Sequence, residues 1–251
     1  MLTRRQSLGR LAGSSVIASG AAAAPGRPQP PIRLVILDMG GTIIEDRGDV
    51  PETLRSAMEH HGIRSTKEEI NRWRGASKRE VIARFVTAQL GVGRDDLIDK
   101  IHAEFTARLI EIYKSVPPVK GAEQAIRELR SAGRLVAATT GFDRAIALSI
   151  IRRLGWEPDL AAVITSDDVP VGRPAPYMIF RAMEVARVQN VAEVAVVGDT
   201  PLDLQSANNA GVRAVIGVLT GAGTEAALHN EPHTAILPSV AGLPAFLSSK
   251  F

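Results

Sequence analysis

Apolar positions in this chain fall into two kinds of run. Residues 34–39 read Leu-Val-Ile-Leu-Asp-Met, apolar around one acid and without helical spacing. Bounded by Gly40-Gly41-Thr42, this run predicts a strand buried on both faces that ends at Asp38. From about residue 50 to 116 the pattern changes. Apolar residues recur at helical spacing over 51–61, 66–73, 77–90 and 95–114, separated by Gly62, Gly75, Gly91 and Gly93. Pro117-Pro118 closes this block. Strand and helix patterns then alternate, with helices over 122–132, 144–154, 177–187 and 202–210. The strands between them fall at 135–139, 161–165, 193–197 and 214–218, before a weak helix at 224–229 and a terminal one at 240–247. The pattern predicts an α/β, Rossmann-like core with a parallel sheet, right-handed crossovers and helices on both faces. An all-helical unit is inserted after the first strand. The expected division is a core of 32–49 and 117–251 with an insert of 50–116.

In an open α/β sheet, ligands bind beyond the carboxyl ends of the strands. The residues just past the predicted strands form a chemically consistent set: Asp38 and Thr42, then Thr139-Thr140-Gly141, then Gly172-Arg173, then Gly198-Asp199-Thr200 with Asp203 one helical turn on. This set suits phosphoryl chemistry. Asp38 would attack phosphorus to form an acyl phosphate. A hard cation such as Mg²⁺ would be held by Asp38, the Gly40 carbonyl and Asp199, with Asp203 in the same acidic set. Thr140 and the Gly141 amide would grip phosphoryl oxygens, and Arg173 adds a planar charged fork. Each residue also has a plain reading as turn former, helix cap or solvated arginine. Their order and common placement favour the joint reading.

Composition narrows the classes further. At 251 residues and 45% hydrophobic, the chain can bury one core with a smaller appendage. It has no cysteine, which removes disulfides and thiolate chemistry. The formal net charge is +3, but residues 1–31 hold Arg4, Arg5, Arg10 and Arg27 and no acid, leaving 26 basic against 27 acidic residues beyond them. The folded part is near neutral, so no nucleic-acid partner is expected. Residues 1–31 combine Arg4-Arg5, a modest apolar run and Ala22-Ala23-Ala24 before Pro25, the outline of a twin-arginine export signal and linker. Export to the periplasm is therefore expected, with a cytoplasmic protein the alternative if this segment is not processed. The apolar run is too short for a stable membrane span.

The four strand-end motifs, Asp38-Met39-Gly40-Gly41-Thr42, Thr139-Thr140-Gly141, Arg173 and Gly198 to Asp203, resemble those of the haloacid dehalogenase superfamily. The resemblance covers about residues 32–218 and implies a helical cap in the insert. Two positions differ from most of that superfamily: Gly40 replaces a second Asp, and Arg173 replaces a lysine. Both are similar to the phosphonatase branch, the phosphonoacetaldehyde hydrolases and their relatives. Without the acid at position 40, the leaving alkoxide of a phosphate ester lacks its proton donor, a handicap of roughly two to four orders of magnitude. In the phosphonatase branch a cap lysine instead condenses with an aldehyde, and the protonated imine accepts the electrons of the breaking C–P bond. Lys78 stands at the matching place, with Gly75 expected beside the substrate. Ser77 and Glu80 form a capping-box pattern, which would put Lys78 at a helix N-terminus and lower its pKa. Val81 stands where those enzymes carry histidine, which leaves open a different 2-oxo-phosphonate or another phosphorylated compound.

The expected partners are a small phosphonate or phosphate-ester substrate and a second copy of the chain through the cap. The alternatives are a phosphatase of small phosphate esters, similar to phosphoglycolate phosphatases, and a non-catalytic phosphate- or phosphonate-binding protein. His60, His61, His102, His229 and His233 show no metal-ligand spacing and read as surface or capping residues. Gly221-Ala222-Gly223 is too short for a dinucleotide loop, and Trp73 and Trp156 read as packing residues.

Overall fold

The first apolar run forms a strand, β1, at Leu34–Asp38, and every residue of it is buried. The computed structural model describes residues 30–251, so the export signal expected over 1–31 lies, but for its last two positions, outside the described residues. Four helices follow β1: α1 (Asp49–His60), α2 (Lys67–Asn71), α3 (Lys78–Leu90) and α4 (Asp95–Tyr113). They pack chiefly through α1 on α4 and α3 on α4, around the fully buried Phe105. The alternating half then runs α5 (Ala122–Ser131), β2 (Leu135–Thr139), α6 (Arg144–Leu154), β3 (Ala162–Ile164), α7 (Tyr177–Val185), β4 (Val194–Gly198), α8 (Pro201–Ala210) and β5 (Ala214–Val218). It ends with α9 (Glu225–His229), β6 (Ala235–Leu237) and α10 (Leu243–Lys250).

The six strands are all parallel, in the order β3-β2-β1-β4-β5-β6. Successive side chains of a strand point to opposite faces, and the core divides accordingly. Val35 and Leu37 join Val136, Ala138, Val197 and Ile216 under α5, α6 and α10. Leu34 and Ile36 join Ala137, Val196 and Val215 under α7 and α8. The apolar cluster on the first face continues without a break into the inserted helices through Met39, Leu54 and Leu109. With β1 central, Asp38 lies in register with Thr139 of β2, and Leu37 with Val197 of β4. Three of the chemical strand ends are thus neighbours.

Some expectations need correction. The apolar pattern does not predict β6: the strand is three residues long, at the sheet edge and half-buried, too short to show periodicity. The Ser77–Glu80 capping box does not form, because Ser77 makes no side-chain cap bond and Glu80 Oε1 instead accepts from the Gly172 amide at 3.0 Å. That bond ties the inserted helices to the loop before Arg173. His60 and His61 come together on the surface of the insert, where Nδ1 and Nε2 lie 2.9 and 3.0 Å from Glu104 Oε2. Contrary to the expectation from spacing, these three side chains are close enough together to hold a metal ion, although Arg108 already pairs with the same carboxylate.

Candidate active site

Asp38 is 6% exposed at the centre of the sheet's carboxyl edge. Burial raises its pKa to about 7, against the opposing pull of Arg173. Arg173, 5% exposed, reaches across from the loop after β3. Its Nη1 donates to Asp38 Oδ1 at 2.7 Å and its Nη2 to Thr139 Oγ1 at 2.8 Å, while Nε lies 3.0 Å from Asp203 Oδ1. A single guanidinium thereby spans two of three carboxylates. Asp38, Asp199 and Asp203 each place a carboxylate oxygen within 4.8 Å of the others. Burial and the charges of Asp38 and Asp203 hold Asp199 well above the usual carboxylate range.

Asp199 is positioned by a loop for which the sequence suggests no role. The Ala222 amide donates to Asp199 Oδ2 at 2.7 Å, and the Gly223 amide to the Asp199 carbonyl at 3.0 Å. Thr220 Oγ1 donates to the Gly41 carbonyl at 2.6 Å, joining this loop to the turn after β1. A Cβ at Gly221, or at Gly41 with its φ of +83°, would overlap the Asp199 carboxylate. These glycines exist for close approach, a signal that a search for nucleotide-loop spacing does not register. The other oxygen, Asp199 Oδ1, is buried without a hydrogen-bond partner among the described residues. An orphaned anionic oxygen beside a second carboxylate fits a hard divalent cation. Gly40 lines the same cavity, and its carbonyl accepts no backbone hydrogen bond among the described residues. Asp203 is differently used, for its Oδ2 accepts from the Thr200 amide and hydroxyl at 3.0 and 2.5 Å, capping α8.

The insert covers these groups. The carbonyls of Gly75 and Ala76 lie so near Gly141 that a Cβ there would sit 2.7 and 2.5 Å from them. Lys78 opens α3 and is 7% exposed, with Nζ donating to the Ala76 carbonyl at 2.6 Å and lying 5.7 Å from the Phe142 ring centroid. Burial lowers its pKa to about 8, opposed by the attraction of Asp38. Desolvation makes the proton easier to lose, so that roughly a tenth of this amine is neutral at pH 7 and the share rises steeply above it.

Asp38, Gly40, Gly75, Lys78, Thr140, Gly141, Arg173 and Asp199 line one cavity. Thr42 and Asp203 are buried and do not line it, and the Thr42 hydroxyl has no hydrogen-bond partner among the described residues. The cavity is closed on its far side by apolar and aromatic residues, among them Leu54, Trp73, Val81, Tyr113 and Phe142. Trp73, expected only to pack, is therefore also a wall of the site, with Arg84 stacked 4.3 Å from its ring.

The arrangement has clear relatives. The family of haloacid dehalogenase-like hydrolases matches residues 32–211. A phosphonoacetaldehyde hydrolase of Bacillus cytotoxicus is 30% identical over 207 residues, covering 76% of both chains. Among solved structures, a phosphonoacetaldehyde hydrolase-like protein of Oleispira antarctica superposes with a TM-score of 0.78 at 22% identity, over 91% of this chain and 95% of that one. The phosphate complex of CbbY from Rhodobacter sphaeroides gives 0.68 at 20% identity, over 84% and 96%. At these identities the structural likenesses establish the fold.

The packing of the carboxylates leads to two expected outcomes. A carboxylate whose pKa is raised on folding contributes stability below its unfolded pKa and loses it as pH rises through the folded value, about 7 for Asp38. In EDTA, Asp38→Asn should therefore gain melting temperature relative to wild type as pH goes from 5 to 8, and saturating Mg²⁺ should shrink the difference. A difference independent of pH would contradict the assigned burial cost. Gly221→Ala should displace the Asp199 carboxylate and raise the Mg²⁺ concentration for half-maximal thermal stabilisation about tenfold. An unchanged Mg²⁺ response would show that the loop does not position this ligand.

Proposed function

The chain belongs to the haloacid dehalogenase-like hydrolases, and from that membership we propose a phosphonatase-like enzyme that cleaves small 2-oxo-phosphonates with Mg²⁺ as cofactor. The observation that carries this reading is the buried amine of Lys78, in the same cavity as Asp38 and with its pKa lowered by burial to about 8. A simple phosphate ester offers no carbonyl for that amine to attack.

In this reading the phosphonate lies against the Thr140 hydroxyl, the Gly141 amide and the Arg173 guanidinium. The Gly141 amide has no hydrogen-bond partner among the described residues and is available to an anion. Lys78 Nζ adds to the substrate carbonyl carbon, and loss of water leaves an imine that takes a proton. Asp38 then attacks phosphorus through the oxygen not held by Arg173. The C–P bonding pair moves into the imine as an enamine, which takes a proton at carbon. Water then hydrolyses the imine, freeing the aldehyde and Lys78, and a second water releases phosphate from the aspartyl phosphate. Magnesium held by Asp38, Asp199 and the Gly40 carbonyl would supply the positive charge that offsets a dianion approaching buried carboxylates. Arg173 keeps the nucleophile aimed, and Asp203 holds Arg173. Because electrons leave into the imine, no acid is needed at Gly40.

Hydrolysis of phosphate esters is the second reading, favoured by the family membership itself. Asp38 and the cation set would serve it equally, but its leaving alkoxide finds only Gly40 where a proton donor is required.

Borohydride added with phosphonoacetaldehyde should label the protein at Lys78, and Lys78→Arg should abolish both the label and turnover. The trapping rate should rise with pH through about 8, as the ammonium gives up the proton that blocks attack. An active Lys78→Arg variant would refute the imine role.

A further inference from the structure

The proposed chemistry leaves one end of the substrate unattended. Thr140, Gly141 and Arg173 serve the phosphonate, and Lys78 attacks the carbonyl carbon, but the carbonyl oxygen needs a donor while charge collects on it. Gly40 and Val81, which line the cavity, have no side-chain donor to offer.

Tyr113 does. It is the last residue of α4, where the inserted helices hand the chain back to the core, and it is 3% exposed. Its ring meets Phe142 edge-on, with centroids 5.4 Å apart and planes at 75°. Lys78 Nζ lies 5.7 Å from that same Phe142 ring, so the amine and the tyrosine flank one aromatic wall. The Tyr113 hydroxyl makes no hydrogen bond among the described residues, although the residue lines the cavity with Asp38 and Lys78. Phenylalanine would fill the same space, so packing alone does not call for the hydroxyl. Asp46, the acid with the largest electrostatic effect on Tyr113, is paired with Arg74 and has its own counter-charge.

We propose that Tyr113 is a substrate-binding residue, whose hydroxyl donates a hydrogen bond to the carbonyl oxygen of a 2-oxo-phosphonate and holds the carbonyl carbon toward Lys78. The assignment rests on the imine reading of the site. As the Nζ lone pair forms the C–N bond, the carbonyl π pair moves onto the oxygen that Tyr113 holds. The two protons of the amine leave with that oxygen as water, so Tyr113 orients and stabilises without a net change in its own protonation. Burial and the surrounding acids push the pKa of this phenol up, which keeps it a donor throughout the working pH range. The same contact selects substrates: a phosphonate without a carbonyl next to the C–P carbon cannot use it.

The test compares wild type with Tyr113→Phe, using full-length protein, phosphonoacetaldehyde and borohydride. Inorganic phosphate with Mg²⁺ serves as a probe of the phosphoryl end by thermal shift. Trapping rate and kcat/KM should both fall roughly 10- to 100-fold in Tyr113→Phe. The pH midpoint of trapping and the stabilisation by phosphate with Mg²⁺ should match wild type. Trapping at the wild-type rate would overturn the assignment. So would loss of the phosphate response, which would mark Tyr113 as a general support of the fold. If wild type itself is never trapped, the imine reading falls and this assignment falls with it, an outcome distinct from a trapped wild type and an equally fast variant.

Discussion

The burial of three carboxylates around one guanidinium is the constraint on which the rest of the site depends. Asp38, Asp199 and Asp203 gather within 4.8 Å at the edge of a central parallel sheet, away from water. Like charges at that separation in a poorly solvated place cannot all stay ionised without compensation. Arg173 supplies part of it by touching Asp38 and Asp203 together, yet Asp38 and Asp199 keep raised pKa values and Asp199 Oδ1 lacks a partner. The unmet need for positive charge at one point is what makes the place suitable for a cation and, through it, for an anionic substrate.

The insert adds the second half. Its connecting turn lays the Gly75 and Ala76 carbonyls against Gly141, and Glu80 grips the Gly172 amide. Both contacts draw α3 onto the strand ends and carry Lys78 into the cavity. Covering the site strengthens every charge interaction within it, because water is removed from between the charges. The same desolvation that makes the carboxylates reluctant to ionise makes the lysine reluctant to hold its proton. One physical effect thus acts on groups of opposite charge: it favours the free amine that Lys78 needs, and it makes the carboxylates dependent on positive charge to stay ionised.

Much of this is legible in the residues alone. Uniform apolar strands, each followed by a polar or acidic residue and then a helix, reveal the sheet and its reactive edge; Gly40 and Arg173 carry a resemblance to the phosphonatase branch, and the step to C–P chemistry rests on that resemblance. The parts that are not legible share a cause. The edge strand at Ala235–Leu237 is too short to carry a period. The contact of Glu80 with Gly172 joins residues 92 apart, so a local capping pattern suggests the wrong partner. Gly221 and Gly223 matter for the space they leave beside Asp199, and Tyr113 for the cavity its helix end faces. Both are tertiary facts that no spacing rule contains.

The central claim is that a buried lysine that gives up its proton easily, in place of an acid at position 40, determines which bond this site can break. The most direct measurement is phosphate release from phosphonoacetaldehyde set against a series of alkyl and aryl phosphates, with Asp38→Asn as the control. The account predicts that phosphonoacetaldehyde is turned over at least about 100-fold faster than any alkyl phosphate, that aryl phosphates with better leaving groups fall between, and that Asp38→Asn abolishes all of it. Alkyl phosphates cleaved as fast as phosphonoacetaldehyde would contradict it.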